Sequence, residues 1–238
     1  MAPQEDFAHA LLETACAPYR HAGSFAYHFA RGKLRGDPVY RTILEEGLLS
    51  GRGRILDLGC GQGLLFSWLR AAETLSARGL WPEAWPPAPK PVYTLGIELM
   101  ARDVQRARTG LGDGATFVQG DIRATDFPAS DAVVILDVLH YMEPEHQREV
   151  LRRVRAALPP QGLLLLRVGD VDGGLRFRYT QMIDRFVLSL RGHPSSRLHC
   201  RKIPEWRALL RECGLESEPR PMSHGTPFAN VLMIATAI

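Results

Sequence analysis

Three glycines stand two apart in the run Ile55-Leu56-Asp57-Leu58-Gly59-Cys60-Gly61-Gln62-Gly63. A short apolar segment leads into them and a helical pattern, Leu64–Ala72, leads away. Glycine is required where a backbone turns sharply and where a ligand lies against it, so the run reads as a strand–turn–helix that holds a small molecule. The positive end of the following helix attracts pyrophosphates, and dinucleotides use such turns. Asp57, at the strand's end, argues the other way. A carboxylate there repels a pyrophosphate and suits a ligand carrying an ammonium and a sulfonium. The GxGxG spacing also departs from the dinucleotide GxGxxG.

Further candidate side chains lie downstream. Glu98 ends the apolar run 92–97, and Asp121 follows the run Thr116–Gln119. Asp137, Val138, His140 and Tyr141 follow Ala132–Leu136. These positions fall just past strand ends, where open α/β sheets place their ligand crevice. A histidine there can deprotonate an acceptor or pack against a ligand. Upstream, Tyr27, Arg31, Lys33 and Arg35 form a basic, glycine-punctuated stretch. His199 and Cys200 read as structural residues, and the basic face of 148–155 as the solvated side of a helix.

The elements that must carry these residues alternate. Helical patterns at 5–17 and 38–49 come first, the second opened by Asp37 as cap and Pro38. Strands are expected at 54–58, 92–97, 116–119, 132–136 and 163–168, the last apolar enough to be buried on both faces. Helices are expected at 64–72, 101–108 and 144–157. Such alternation implies a parallel sheet with right-handed crossovers. A helix near 177–191, one at 204–213 stopped by Gly214, and strands at about 215–221 and 228–236 complete the chain. The expected fold is α/β and doubly wound. It has a mostly parallel seven-stranded sheet, helices on both faces, an antiparallel last strand and an N-terminal helical extension. The expected organisation is a helical cap at 1–50 and a Rossmann-like domain at 51–238. Two insertions interrupt that domain, at 73–91 and 170–203; the first holds Trp81, Trp85 and five prolines.

With these elements in order, the motifs resemble those of the class I S-adenosylmethionine-dependent methyltransferases, small-molecule type. Ile55–Gly63 resembles their first motif. Gly96-Ile97-Glu98-Leu99 resembles the second, which implies that Glu98 bonds the ribose hydroxyls. Gln119-Gly120-Asp121-Ile122 resembles the third, which implies that Asp121 meets the adenine amine while Ile122 packs on the ring. Asp131–Tyr141 resembles the fourth, which lines the floor under the methionine part. The resemblance covers about 51–168. It implies S-adenosyl-L-methionine as cofactor, held by Arg31, Asp57, Gly59, Cys60, Gly61, Gly63, Glu98, Leu99, Asp121, Ile122, Asp137 and Val138. Arg31 is assigned to the methionine carboxylate by charge complementarity. His140 and Tyr141 are the catalytic candidates. Glu98 lies 37 residues past Gly61 where about 20 is usual; the 73–91 insertion accounts for the excess.

Composition narrows the rest. With 238 residues, 45% hydrophobic and 23% charged, the chain affords a sizeable core. A formal charge of +3 gives no general case for nucleic acid. Cys16, Cys60, Cys200 and Cys213 form no CxxC pair and no zinc spacing, so no metal is expected. No signal peptide or membrane span is legible, and the expected compartment is the cytoplasm. The leading expectation is methyl transfer to a small-molecule acceptor, O-, N- or C-directed, of a lipid or secondary-metabolite kind. The alternatives are an RNA or protein methyltransferase, a non-catalytic S-adenosylmethionine-binding protein, and, disfavoured by Asp57, a nicotinamide-dependent oxidoreductase. Oligomeric state is not encoded in any pattern here.

Overall fold

The computed structural model describes residues 3–190 and 197–238. It divides into two compact units, Met1–Ala124 and Thr125–Ile238. The first unit opens with α1 (Pro3–Cys16), a 3-10 turn (Ala17–Arg20), α2 (Ser24–Gly36) and α3 (Pro38–Glu45). It continues through β1 (Arg54–Leu58), α4 (Leu64–Ala77), β2 (Tyr93–Glu98), α5 (Ala101–Leu111) and β3 (Thr116–Gln119). Its strands run in the order β3-β2-β1, all parallel. Register sets Asp57 beside Gly96 and Glu98 beside Gln119.

The second unit holds β4 (Ala132–Leu136), a 3-10 turn (Leu139–Tyr141), α6 (Pro144–Ala157) and β5 (Leu163–Gly169). After these come α7 (Leu175–Leu190), α8 (Ile203–Glu212), β6 (Leu215–Pro221) and β7 (Asn230–Ala237). Its strands run β4-β5-β7-β6, with β7 antiparallel to both neighbours. Positions 191–196 of the expected 170–203 insertion, and residue 191 of the helix expected there, lie outside the described residues. Among the described residues no helix is long and apolar enough to cross a membrane.

Three local differences from the sequence reading have physical causes. The basic stretch before the core is a helix, α2, because Ala26, Ala30 and Leu34 recur at four-residue spacing and are all buried. Its Gly32 and Gly36 face open space and cost the helix only propensity. α4 runs on to Ala77, since nothing before Gly79 breaks it and Leu75 is buried. The irregular part of the Trp/Pro-rich segment therefore begins later than residue 73. Finally, β5 is not purely apolar: Arg167 stands within it and is fully buried. As expected, Asp37 caps α3, its carboxylate accepting from Val39 N–H at 3.2 Å.

The segment after α4 is pinned to the first unit by aromatic rings. Trp81 and Trp85 meet edge to face at 5.5 Å, and each meets Phe7 of α1 likewise, at 5.7 and 5.4 Å. Trp81 Nε1–H donates to the Pro86 carbonyl at 2.9 Å, and Ser50 Oγ–H to that of Pro87 at 2.5 Å.

Candidate cofactor site

The turn after β1 is built on left-handed backbone: φ is 78° at Gly59, 55° at Gly61 and 78° at Gly63. The glycines are not equivalent. A side chain at Gly63 would strike the Phe117 ring at 2.7 Å, so close packing alone requires glycine there. At Gly61 nothing lies within 4 Å of where a Cβ would stand, so the backbone faces open space. Gly59 and Cys60 N–H donate to the Ile97 carbonyl at 2.8 and 3.3 Å, fastening the turn's entry to the end of β2. Gly96 must be glycine for the same geometry: a Cβ would come within 2.6 Å of Cys60 Sγ.

Glu98 is the last residue of β2 and is buried. Its carboxylate accepts from Gly61 N–H at 3.0 Å and from Met100 N–H at 2.9 Å. The structure thus brings together the glycine turn and the acid 37 residues away. Asp57 is buried beside them. Burial, and then the charge of Glu98, pushes its carboxyl from the ordinary 3.8 up to about 8. The Cys60 thiol is pushed up well above its ordinary value by burial, then by Asp57 and Glu98. Cys60 is therefore an inert lining thiol rather than a nucleophile. Leu99, next to Glu98, is 54% exposed although apolar.

The remaining candidates are placed as follows. Ile122 is buried, while the Asp121 carboxylate is engaged by Arg123, through its backbone N–H at 2.9 Å and its Nε at 2.9 and 3.0 Å. Arg31 does not stand ready for a carboxylate; its guanidinium pairs with Glu13 of α1, and that contact holds the Glu13 carboxyl below its usual range. In the second unit Asp137 has φ 61°. It forms a two-pronged ion pair with the buried Arg167, Nε to Oδ1 at 2.8 Å and Nη2 to Oδ2. Val138 follows it into the 3-10 turn that carries His140 and Tyr141. His140 is buried, its ring 4.1 Å from that of Tyr141, and its carbonyl accepts from His199 N–H at 2.8 Å.

Two sets of residues escape a sequence reading. Gln147, fully buried on α6, donates to the carbonyls of Leu139, Met142 and His199 at 3.0, 3.1 and 2.8 Å. Its Oε1 accepts from Arg201 Nε at 2.7 Å. It thereby holds the loop that bears His140 and Tyr141. Tyr19 and Gln62 tie the N-terminal helices to the glycine turn. No local pattern marks any of these residues; only a glutamine on the apolar face of α6 is out of place. Among the described residues no cluster of three metal-binding side chains occurs.

The residues of the first unit fit S-adenosylmethionine. The backbone at Gly61 faces open space, Asp57 and Glu98 are buried acids of a kind that suits a cationic ligand, and the Leu99 side chain is exposed. The fold and this turn define a Rossmann-like α/β domain with a glycine-rich turn after its first strand. The methyltransferase-domain family matches residues 28–218, four-fifths of the chain, and the chain belongs to that family. The family uses S-adenosylmethionine as methyl donor.

Among curated relatives, the carboxy-S-adenosyl-L-methionine synthase of Chromohalobacter salexigens is 33% identical over 143 residues, 56% of this chain and 48% of that protein. The synthase of Wolinella succinogenes is 26% identical over 167 residues, 68% of this chain and 61% of its own. The chain thus spans about half to three-fifths of the length of these relatives. Among solved structures, an O-methyltransferase family protein from Burkholderia thailandensis superposes with a TM-score of 0.62. It is 19% identical, over 92% of this chain and 61% of its own. The magnesium protoporphyrin IX methyltransferase of Synechocystis, solved with bound S-adenosylhomocysteine, gives 0.58 at 19% identity over 91% and 89%. At such identities the likeness shows the fold, which is the doubly wound one expected.

Proposed function

We propose that this chain binds S-adenosylmethionine at the Gly59–Gly63 turn and transfers its methyl group to a small-molecule acceptor. The observation that carries the reading is the junction of Gly61 with Glu98, an open glycine backbone held by a buried acid from the next strand. In this reading Asp57 receives the cofactor's ammonium, Glu98 the ribose, Leu99 and Ile122 the adenine, and Gly59, Cys60, Gly61 and Gly63 form the bed. Asp121 and Arg31 reach their assigned groups by exchanging Arg123 and Glu13 for the ligand. Asp137 and Val138 keep the expected role beneath the methionine part, with residues 1–50 as the cap.

The cofactor supplies an activated carbon on a sulfonium leaving group. The chain's own contribution is alignment and exclusion of water. A base is needed only for an acceptor that must lose a proton, and His140 with Tyr141 is the pair assigned to it. A small aromatic acceptor is favoured by α2. Phe25 and Phe29, 62% and 47% exposed, stack at 5.9 Å on the helix that touches the turn through Ala26. Arg106, paired with Asp103 at 2.9 Å, stands 4.5 Å over the Phe25 ring and holds that ring in place. Calorimetric titration with S-adenosylhomocysteine and with NADH tests the cofactor; binding of NADH alone overturns the reading. An acceptor screen read by homocysteine release tests the transfer.

The curated relatives favour a second reading, in which a carboxylic-acid co-substrate gives up its carboxyl group to the cofactor's methyl carbon and takes in exchange the proton that carbon loses, so that no methyl group is transferred. Mass analysis of the nucleotide after incubation separates the two, since only this reading yields a carboxylated cofactor.

A further inference from the structure

The glycine turn cannot set its own shape. Gly61 and Gly63, both at positive φ, flank Gln62, and glycine is the residue least able to hold one conformation. The shape is imposed by partners. The Cys60–Gly61 peptide is held on both sides: Gly61 N–H donates to Glu98 and the Cys60 carbonyl accepts from Gly63 N–H at 2.9 Å. The Gln62–Gly63 peptide is held by that same Gly63 N–H and, at its carbonyl, by the Tyr19 hydroxyl at 3.0 Å. Tyr19 is fully buried and comes from 43 residues upstream. The Gln62 side chain, also buried, donates to the Ala26 carbonyl of α2 at 2.8 Å.

Beside this contact two more bonds join the N-terminal helices to α4. Ser67 Oγ–H donates to the Ala15 carbonyl at 2.6 Å, and Trp68 Nε1–H to that of Tyr40 at 2.8 Å. Those two fasten helix to helix. Among the described residues, Tyr19 and Gln62 are the ones that join these helices to the turn itself.

We propose that Gln62 is a positioning residue that, with Tyr19, couples occupancy of the cofactor turn to docking of residues 17–30. It rests on the reading of the turn as the cofactor site. A ligand that binds the clamped turn better than the loose one stabilises the docked helices, and by linkage the docked helices raise affinity for that ligand. Gln62 touches no reacting atom in this scheme. It acts through the Ala26 carbonyl that its amide holds, and so through the helix that carries Phe25 and Phe29, while Tyr19 holds the Gln62–Gly63 peptide.

The test compares wild type, Gln62→Met and Tyr19→Phe, each shown to be folded, using S-adenosylhomocysteine as probe. Gln62→Met keeps the length and removes the amide; its Kd is expected to rise about tenfold, the scale of one lost hydrogen bond to a buried carbonyl. Tyr19→Phe is expected to raise it about threefold to tenfold. In the wild type the probe slows amide exchange over residues 24–30, and in Gln62→Met this protection is absent. The double variant falls short of the product of the single effects, because the two residues act on one turn. Variants that lose thermal stability but keep the wild-type Kd and the probe-dependent protection overturn the proposal, since that is what a merely structural contact gives. Wild type that fails to bind the probe overturns the cofactor reading instead. If Gln62→Met does not fold, Tyr19→Phe, which deletes a single oxygen, decides the matter on the same two readouts.

Discussion

If Asp57 receives the cofactor's ammonium as proposed, the affinity of the turn should depend on pH between about 6 and 8, a window in which a surface carboxylate, already ionised, would give no change. The Asp57 carboxyl sits at about 8 in the unliganded chain, against 3.8 ordinarily, because it is buried first and lies beside Glu98 second. Since the folded value is raised, the neutral form is the one that folding favours. Its contribution to stability is complete below 3.8 and is lost as pH rises toward 8, at about 1.4 kcal/mol per pH unit in that window.

A bound ammonium reverses the preference, because the ionised carboxylate then gains a charge partner in a low-dielectric site. Binding therefore expels one proton. The apparent Kd should fall about tenfold per pH unit from pH 6 to 7.5 and be about 100-fold weaker at pH 6 than the limit set above 8.

Calorimetry with S-adenosylhomocysteine at pH 6.5, in two buffers of different ionisation enthalpy, counts the protons; close to one should be released per ligand. Asp57→Asn should bind weakly and show no low-pH limb. A Kd that stays flat from pH 6 to 7.5 with no proton released refutes the assignment of Asp57 to the ammonium.

Other outcomes follow from the same geometry. Glu98→Ala leaves the Gly61 and Met100 N–H groups without their acceptor, and should weaken S-adenosylhomocysteine by about 1–3 kcal/mol; unchanged affinity removes Glu98 from the site. Gly61→Arg places a side chain in open space at φ 55°, so the chain should stay folded at a strain of about 1–2 kcal/mol by thermal melt. It should show no detectable ligand binding, and retained binding shows that the cofactor lies elsewhere. Asp137→Asn deprives the fully buried Arg167 of its carboxylate and should cost about 3–5 kcal/mol of stability in urea titration. Pairing it with Arg167→Met should recover part of that loss. A wild-type midpoint for Asp137→Asn means that the ion pair carries no net stability.

The sequence by itself determined the strand–turn–helix at 55–72, the alternation that makes the fold, and the order in which Asp57, Glu98 and Asp121 follow one another. These are written in runs of ten residues or fewer, where apolar period and glycine placement act directly on the backbone. That Glu98 would end β2 in spite of the long segment before it was also legible, because that segment's prolines exclude it from the sheet. The helix α2 was masked by its glycines, and Arg167 by the leucines around it.

Only the tertiary structure decided the partners. Arg31 took Glu13 and Asp121 took Arg123, choices between several available opposite charges that spacing does not rank. Tyr19 found Gln62 across 43 residues, and Gln147 gathered three carbonyls from two separated segments. The state of Asp57 belongs to the same class. The sequence shows a carboxylate at the end of a strand. Desolvation by the folded surroundings, which no local pattern records, is what pushes its carboxyl up.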